Sequence, residues 1–172
     1  MKNSSLLLLG ILLFCLNGCK KDDGGSAVND SEEFFIATVV GNDGTVNFVA
    51  TTDGVTDYMT AIMQGSPNTR LQIRARNFDD FLDLDFTIEF YNGSGTYTSG
   101  DREDNLNVMR YGQDRSDRFW WVSDGFNYER VSTGTITINE NDKFVQGTFS
   151  FQGYRQTSYK QVDGSFKVRK DN

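Results

Sequence analysis

The chain has 172 residues, 37% hydrophobic, 24% charged and 13% aromatic, with one proline, two cysteines and no histidine. The length fits one globular domain, and the lack of histidine excludes a Ser-His-Asp or Cys-His catalytic pair, a His-ligated zinc and an imidazole switch. A net charge of −7 has the wrong sign for a surface that holds a phosphate backbone, so no nucleic-acid partner is expected.

Residues 1–18 read as a signal peptide. Lys2 supplies the positive start, and the apolar run from Leu6 to Leu16 is far shorter than the ~20 residues of a membrane-crossing helix. The close, Leu16-Asn17-Gly18-Cys19, resembles the bacterial lipobox, in which the cysteine is acylated and becomes the new N-terminus. Cys19 is therefore the expected lipidation site, and the lipid the only expected contact with a membrane. Cys15 leaves with the signal, so no thiol remains for a disulfide, a metal or a nucleophile, and the core alone must hold the fold. Loss of Lys2 leaves the mature chain one unit more negative.

Residues 19–33 comprise the lipidated cysteine and a polar, Gly-containing tether with a reach of roughly 20 Å. The Lys20-Lys21-Asp22-Asp23 run is similar to the export signal by which Bacteroidota lipoproteins reach the outer leaflet of the outer membrane. A solvated linker explains the same residues. The expected location is the outer membrane, exposed at the cell surface or else facing the periplasm.

From Phe34 to Arg169, residues 34–169, short runs of period-2 alternation are broken by Gly, Asn and Asp, with no sustained helical stripe. The expected fold is all-β: an antiparallel meander of about 9–10 strands in a sandwich or small barrel. Opposed residues of a hairpin must agree on which face is buried, which sets trial registers. Phe35, Ala37 and Val39 oppose Ala50, Phe48 and Val46 around a loop at Gly41 to Gly44. Leu71, Ile73 and Ala75 oppose Ile88, Phe86 and Leu84, while Arg70, Arg74 and Arg76 meet Glu89, Asp85 and Asp83 on the other face. In a third hairpin Ile138 opposes Val145, Ile136 opposes Gly147 and Gly134 opposes Phe149, with a turn at Asn141-Asp142. Its second strand continues into a third, Phe149 against Val168 and Phe151 against Phe166, across a loop from Tyr154 to Tyr159. Gly95 to Tyr97, Leu106 to Tyr111 and Phe119 to Val122 supply further short strands. Pro67 sits in a turn.

In these segments the chain resembles a family of small Bacteroidota lipoproteins whose β domain has no assigned function. The pieces that carry the likeness are Phe35-x-Ala37-x-Val39-x-Gly41, Phe48-x-Ala50, Gly95-Thr96-Tyr97, Gly134 to Ile138, Gly147 to Phe151 and Gly164-Ser165-Phe166. The resemblance implies an exported, lipid-anchored β domain and brings no catalytic residue with it.

The three Arg to carboxylate pairs of the second hairpin read as register-fixing charges on a solvated face, with a charged binding strip as the alternative. Asp101 to Asn105 and Asn139 to Asp142 gather oxygen ligands without EF-hand spacing, so no metal site is assigned. No carboxylate pair stands out for a hydrolase, and neither a catalytic residue nor a cofactor is expected. The most unusual segment runs from Arg110 to Tyr128 and holds both tryptophans. On a strand, Trp120 and Trp121 point to opposite faces, so one indole is buried and the other is left outside or covered by a loop. Trp120, Trp121, Tyr128 and Arg118 are the candidate contact residues, suited to stacking on a glycan or docking a protein. The leading expectation is a noncatalytic binding or interaction module. The alternatives are a barrel that carries a small apolar ligand inside and, resting on acidity alone, an immunity or inhibitor protein.

Overall fold

In the computed structural model, residues 32–52, 57–65, 69–100, 106–113, 120–123 and 133–171 are described. They form eleven strands in one sheet: β1 Phe34–Gly41, β2 Gly44–Thr51, β3 Tyr58–Gln64, β4 Arg70–Asn77, β5 Leu82–Glu89, β6 Gly95–Ser99, β7 Val108–Gln113, β8 Trp120–Ser123, β9 Gly134–Glu140, β10 Phe144–Arg155 and β11 Ser158–Asp171. The fold is all-β, as the alternation requires. The strand the sequence reading lacked is β3, where Met59, Ala61 and Ile62 blur the two-residue period.

The two longest strands, β10 and β11, pair along their whole length and act as a spine. The outer edge of β11 is shared between β1 at residues 160–167 and β3 at Lys170 and Asp171. The outer edge of β10 is shared between β9 and, at Tyr154 opposite Val122, β8. Strands β3, β4, β5, β7 and β8 form an antiparallel wall joined to the spine at both ends, so the hydrogen-bonded path closes on itself as a small barrel does. The β3 to β11 contact is parallel, so the sheet is mixed, not a pure antiparallel meander.

The strand order ends at β2 and at β6, and an asparagine ties each back to the wall. Asn77 Nδ2 donates to the Val49 carbonyl at 2.8 Å. Asn107 Nδ2 donates to the Thr98 carbonyl at 2.8 Å while its Oδ1 accepts from the Glu89 amide at 2.8 Å. One carbonyl on each end strand, that of Val49 on β2 and of Thr98 on β6, is thereby occupied and withheld from another strand.

The first two hairpins have the registers read from the sequence, including all three Arg to carboxylate pairs. The third is displaced by two residues: Val145 opposes Glu140, Gly147 opposes Ile138, Phe149 opposes Ile136 and Phe151 opposes Gly134. The turn is Asp142-Lys143, because Asn141 Oδ1 accepts from the amides of Lys143 and Phe144 at 2.9 and 2.8 Å and so occupies the position before the turn. The continuation is also corrected. Phe149 opposes Gly164 and Phe151 opposes Val162, around a two-residue turn at Gln156-Thr157 with Gln156 at φ 53°. A Cβ on Gly164 would stand 2.5 Å from the Phe149 ring and 2.2 Å from the Ile36 carbonyl oxygen, so each displacement ends with a glycine where a large ring crosses.

The core lies between wall and spine. Phe35 has ring centroids of Phe86, Phe149 and Phe166 within 5.4 to 5.6 Å, and Phe86 on the wall meets Phe149 on the spine at 4.8 Å. Phe35, Phe86 and Phe166 are fully buried, and such rings add about 0.5–1.5 kcal/mol per pair beyond the area they remove from water. Aromatic side chains thus occupy the middle of the barrel, where the sequence reading had allowed for an apolar ligand.

Candidate binding groove

The pairing of the wall strands puts five residues in one line across its outer face. Tyr58 of β3 opposes Arg76 of β4, Arg76 opposes Asp83 of β5, Asp83 opposes Gly112 of β7 and Gly112 opposes Trp120 of β8. An ion pair is thereby flanked by two aromatic rings and one gap. Two positions along the strands, the next line reads Thr60, Arg74, Asp85, Arg110 and Val122. A groove of about 360 Å³ opens over these lines, lined by Tyr58, Phe78 and Trp120 around Arg74, Arg76, Asp83 and Asp85.

The charges on its floor are paired. Arg74 Nε lies 2.6 Å from Asp85 Oδ2, and with the Gln72 amide turned, Gln72 Oε1 accepts from Arg74 Nη2 at 2.9 Å. Arg76 Nε donates to Asp83, and the Arg76 guanidinium lies 5.4 Å from the centroid of Phe78. In both pairs the carboxylate is sunk into the sheet, at 9% and 15% side-chain exposure, while the arginine is about half exposed. Exposed pairs of this kind contribute roughly 0–1 kcal/mol each to stability. Their larger effect is to hold donors and acceptors in fixed directions.

Trp120 is half-buried and Trp121 is 7% exposed, as strand alternation demands of neighbours. Gly112 seats the Trp120 ring: a Cβ there would come within 3.1 Å of Cζ3 and 3.2 Å of Cε3. Trp121 faces inward, 5.7 Å from the Tyr111 ring, and its Nε1 donates to Ser158 Oγ at 3.0 Å. Lys160 Nζ approaches the same indole at 5.2 Å and ion-pairs with Asp43 of the β1 to β2 turn. That hydrogen bond holds the Asp43 carboxyl below its ordinary value near 3.8. Burial pushes the Tyr111 phenol up to about 12, with the Asp43 charge adding to it, and among the described residues its hydroxyl has no hydrogen-bond partner.

Of the four candidate contact residues, Trp120 lines the groove and Trp121 belongs to the core, while Arg118 and Tyr128 lie outside the described residues. Tyr58, Phe78 and Gly112 were missed. Tyr58 sits on the strand the period did not reveal, and Phe78 lies in the turn after β4. Gly112 could have been found, since a glycine opposite a tryptophan on paired strands is a seat for the ring. Of the acidic loops, Asp101 to Asn105 lie outside the described residues. In the other, Glu140 pairs with Lys170 at 2.7 Å and Asn141 caps its own turn. Among the described residues no three acidic or thiol groups converge as metal ligands do.

No curated protein and no solved structure matches the chain. A family model does match, over residues 44–168, which run from the start of β2 into β11. The chain belongs to the family described as Domain of unknown function (DUF6252).

Proposed function

We propose that this chain is a lipid-anchored, exported binding module without catalytic chemistry of its own, and that its contact surface is the groove on the outer face of β3, β4, β5, β7 and β8. The observation that carries this reading is the line Tyr58, Arg76, Asp83, Gly112, Trp120. Leaving Tyr58 exposed and Trp120 only half-buried forgoes burial that folding normally exploits, and rings beside fixed arginine to carboxylate pairs are the usual makings of a contact surface. The anchor rests on Leu16 to Cys19, and display on the outer membrane on the Lys20 to Asp23 run. The partner is a glycan or a protein of the envelope.

The test compares full-length lipoprotein with its Trp120→Ala and Tyr58→Ala variants, each immobilised and exposed to solubilised envelope, with bound proteins and glycans identified by mass spectrometry. The expected result is a component held by the parent and lost from both variants. Equal retention of every component by all three proteins would overturn the groove as the contact surface.

A further inference from the structure

We infer that the groove takes an uncharged oligosaccharide laid across the strands, with one sugar face on Tyr58, another on Trp120, and the hydroxyls between them on the paired side chains of Arg74, Asp85, Arg76 and Asp83. This rests on the binding-module reading above and gives it a ligand class.

The spacing favours a chain with repeated apolar faces. Tyr58 and Trp120 stand four strand separations apart, at most about 19 Å at the ~4.8 Å spacing of adjacent strands. Between them the line carries only Arg76, Asp83 and the gap at Gly112. A peptide anchor is held best in one central, fully desolvated pocket, whereas here Tyr58 and Trp120 sit at the two ends, Phe78 lies against Arg76, and the floor between them is charged. A pyranose chain has the matching alternation: C–H faces that stack on rings, separated by hydroxyls that both donate and accept.

The charge balance favours a neutral chain. The two guanidiniums that line the groove, those of Arg74 and Arg76, are each paired with a carboxylate, and both carboxylates lie deeper in the sheet than their partners. An acidic ligand approaching Arg74 or Arg76 therefore meets Asp85 or Asp83 beneath, and a cation meets the arginines first. A hydroxyl meets neither penalty. A guanidinium has five N–H donors and a carboxylate about four lone-pair sites, more capacity than the bond between Arg74 and Asp85 uses. The ring contact of Arg76 with Phe78 and the Gln72 bond to Arg74 fix the planes in which that capacity lies. The groove volume of about 360 Å³ falls within the ~300–1,000 Å³ typical of small-ligand sites.

The experiment is calorimetric titration of the full-length protein in detergent with short neutral oligosaccharides of glucose, mannose and galactose, with uronic-acid chains of similar length, and at two salt concentrations. The neutral arm should bind with little salt dependence, weakened about tenfold or more by Trp120→Ala or Tyr58→Ala and largely restored by Trp120→Phe. Asp83→Asn, which leaves Arg76 without its carboxylate, should move preference toward the acidic chains. Stronger, salt-sensitive binding of the uronic-acid chains by the parent protein would overturn the inference while leaving the groove in place. So would Trp120-dependent retention of an envelope protein with no glycan bound in any arm. Glycan binding indifferent to both ring deletions would overturn the inference and the groove together. Melting curves of each variant separate lost binding from lost fold.

Discussion

Trp120 and Gly112 face each other on β8 and β7, and the indole lies 3.1 Å from where a side chain at residue 112 would begin. The ring therefore rests on backbone and leans toward Asp83, whose Cβ is 3.3 Å from the same point. A platform seated in this way loses little rotamer freedom when a ligand lands on it, which is how preorganised sites gain affinity.

Gly112→Ala should consequently weaken ligand binding without removing any group that touches the ligand. The methyl must displace the indole by a few tenths of an ångström, and a stability cost of about 1 kcal/mol is expected for the adjustment. Titration of the groove ligand against this variant, alongside its melting curve, is the measurement. Parental affinity would mean that the seat does not orient the ring.

The neighbouring tryptophans should separate cleanly in their effects. Trp121→Ala removes a buried indole from contact with Tyr111, Lys160 and Ser158, and should cost about 3–5 kcal/mol, as large core aromatics do. Trp120→Ala should cost about 1 kcal/mol and act mainly on binding. Denaturant unfolding of both variants tests this, and equal destabilisation would place Trp120 in the core with its neighbour.

How much of this was legible in the sequence depends on what a two-residue period can encode. Alternation says which face a residue occupies, and a slip of two residues leaves every face unchanged. The β4 to β5 hairpin was readable in full because its outer face carries charges: a slip of two in either direction would separate Arg74 from Asp85 and leave only one of the three arginines opposite a carboxylate. The β9 to β10 pair has Thr135, Thr137 and Asn139 opposite Ser150, Thr148 and Gln146, and nothing in that set distinguishes one register from the next. There the decision fell to the Asn141 side chain, since Gly134 stands opposite a phenylalanine in both registers, Phe149 in one and Phe151 in the other. The groove was legible only in part. Trp120 stood out by type and alternation, but its alignment with Tyr58 passes through four strand pairings, one of them, β5 with β7, between strands not adjacent in the chain.

Tyr111→Phe should leave the protein as stable as before or raise its stability by about 1 kcal/mol. The phenol is fully buried and its hydroxyl lacks a hydrogen-bond partner among the described residues, so the oxygen bears a desolvation cost with no bond to offset it. The same burial keeps the phenol neutral until about pH 12. A melting temperature lowered by several degrees would reveal a partner for that hydroxyl.

Cys19→Ser should move the protein from the membrane fraction to the soluble fraction with its melting curve unchanged. Residue 19 lies outside the described residues and well before the first strand at Phe34, and on the proposed reading its loss removes the anchor. Fractionation of cells expressing parent and variant measures this. Undiminished membrane association would refute acylation at Cys19 as the anchor.

The ion pair between Lys160 and Asp43 makes a prediction about acid. Lys160 is 2% exposed and reaches out past Gly41 to a carboxylate whose own side chain is 65% exposed. Because the bond to Lys160 holds the Asp43 carboxyl below its ordinary value near 3.8, the charged form is favoured in the folded state. Its contribution is therefore complete above that value and is lost as pH falls through the lower, folded one. At neutral pH, Asp43→Asn leaves a buried ammonium facing an amide and should cost about 1 kcal/mol, well short of the ~3–5 for a pair buried on both sides, since water screens the aspartate. As pH falls through that lowered folded value the parent carboxyl is itself neutralised, and the two melting curves should converge. Equal melting temperatures for parent and Asp43→Asn at neutral pH would mean that the charge on Asp43 does nothing for the fold.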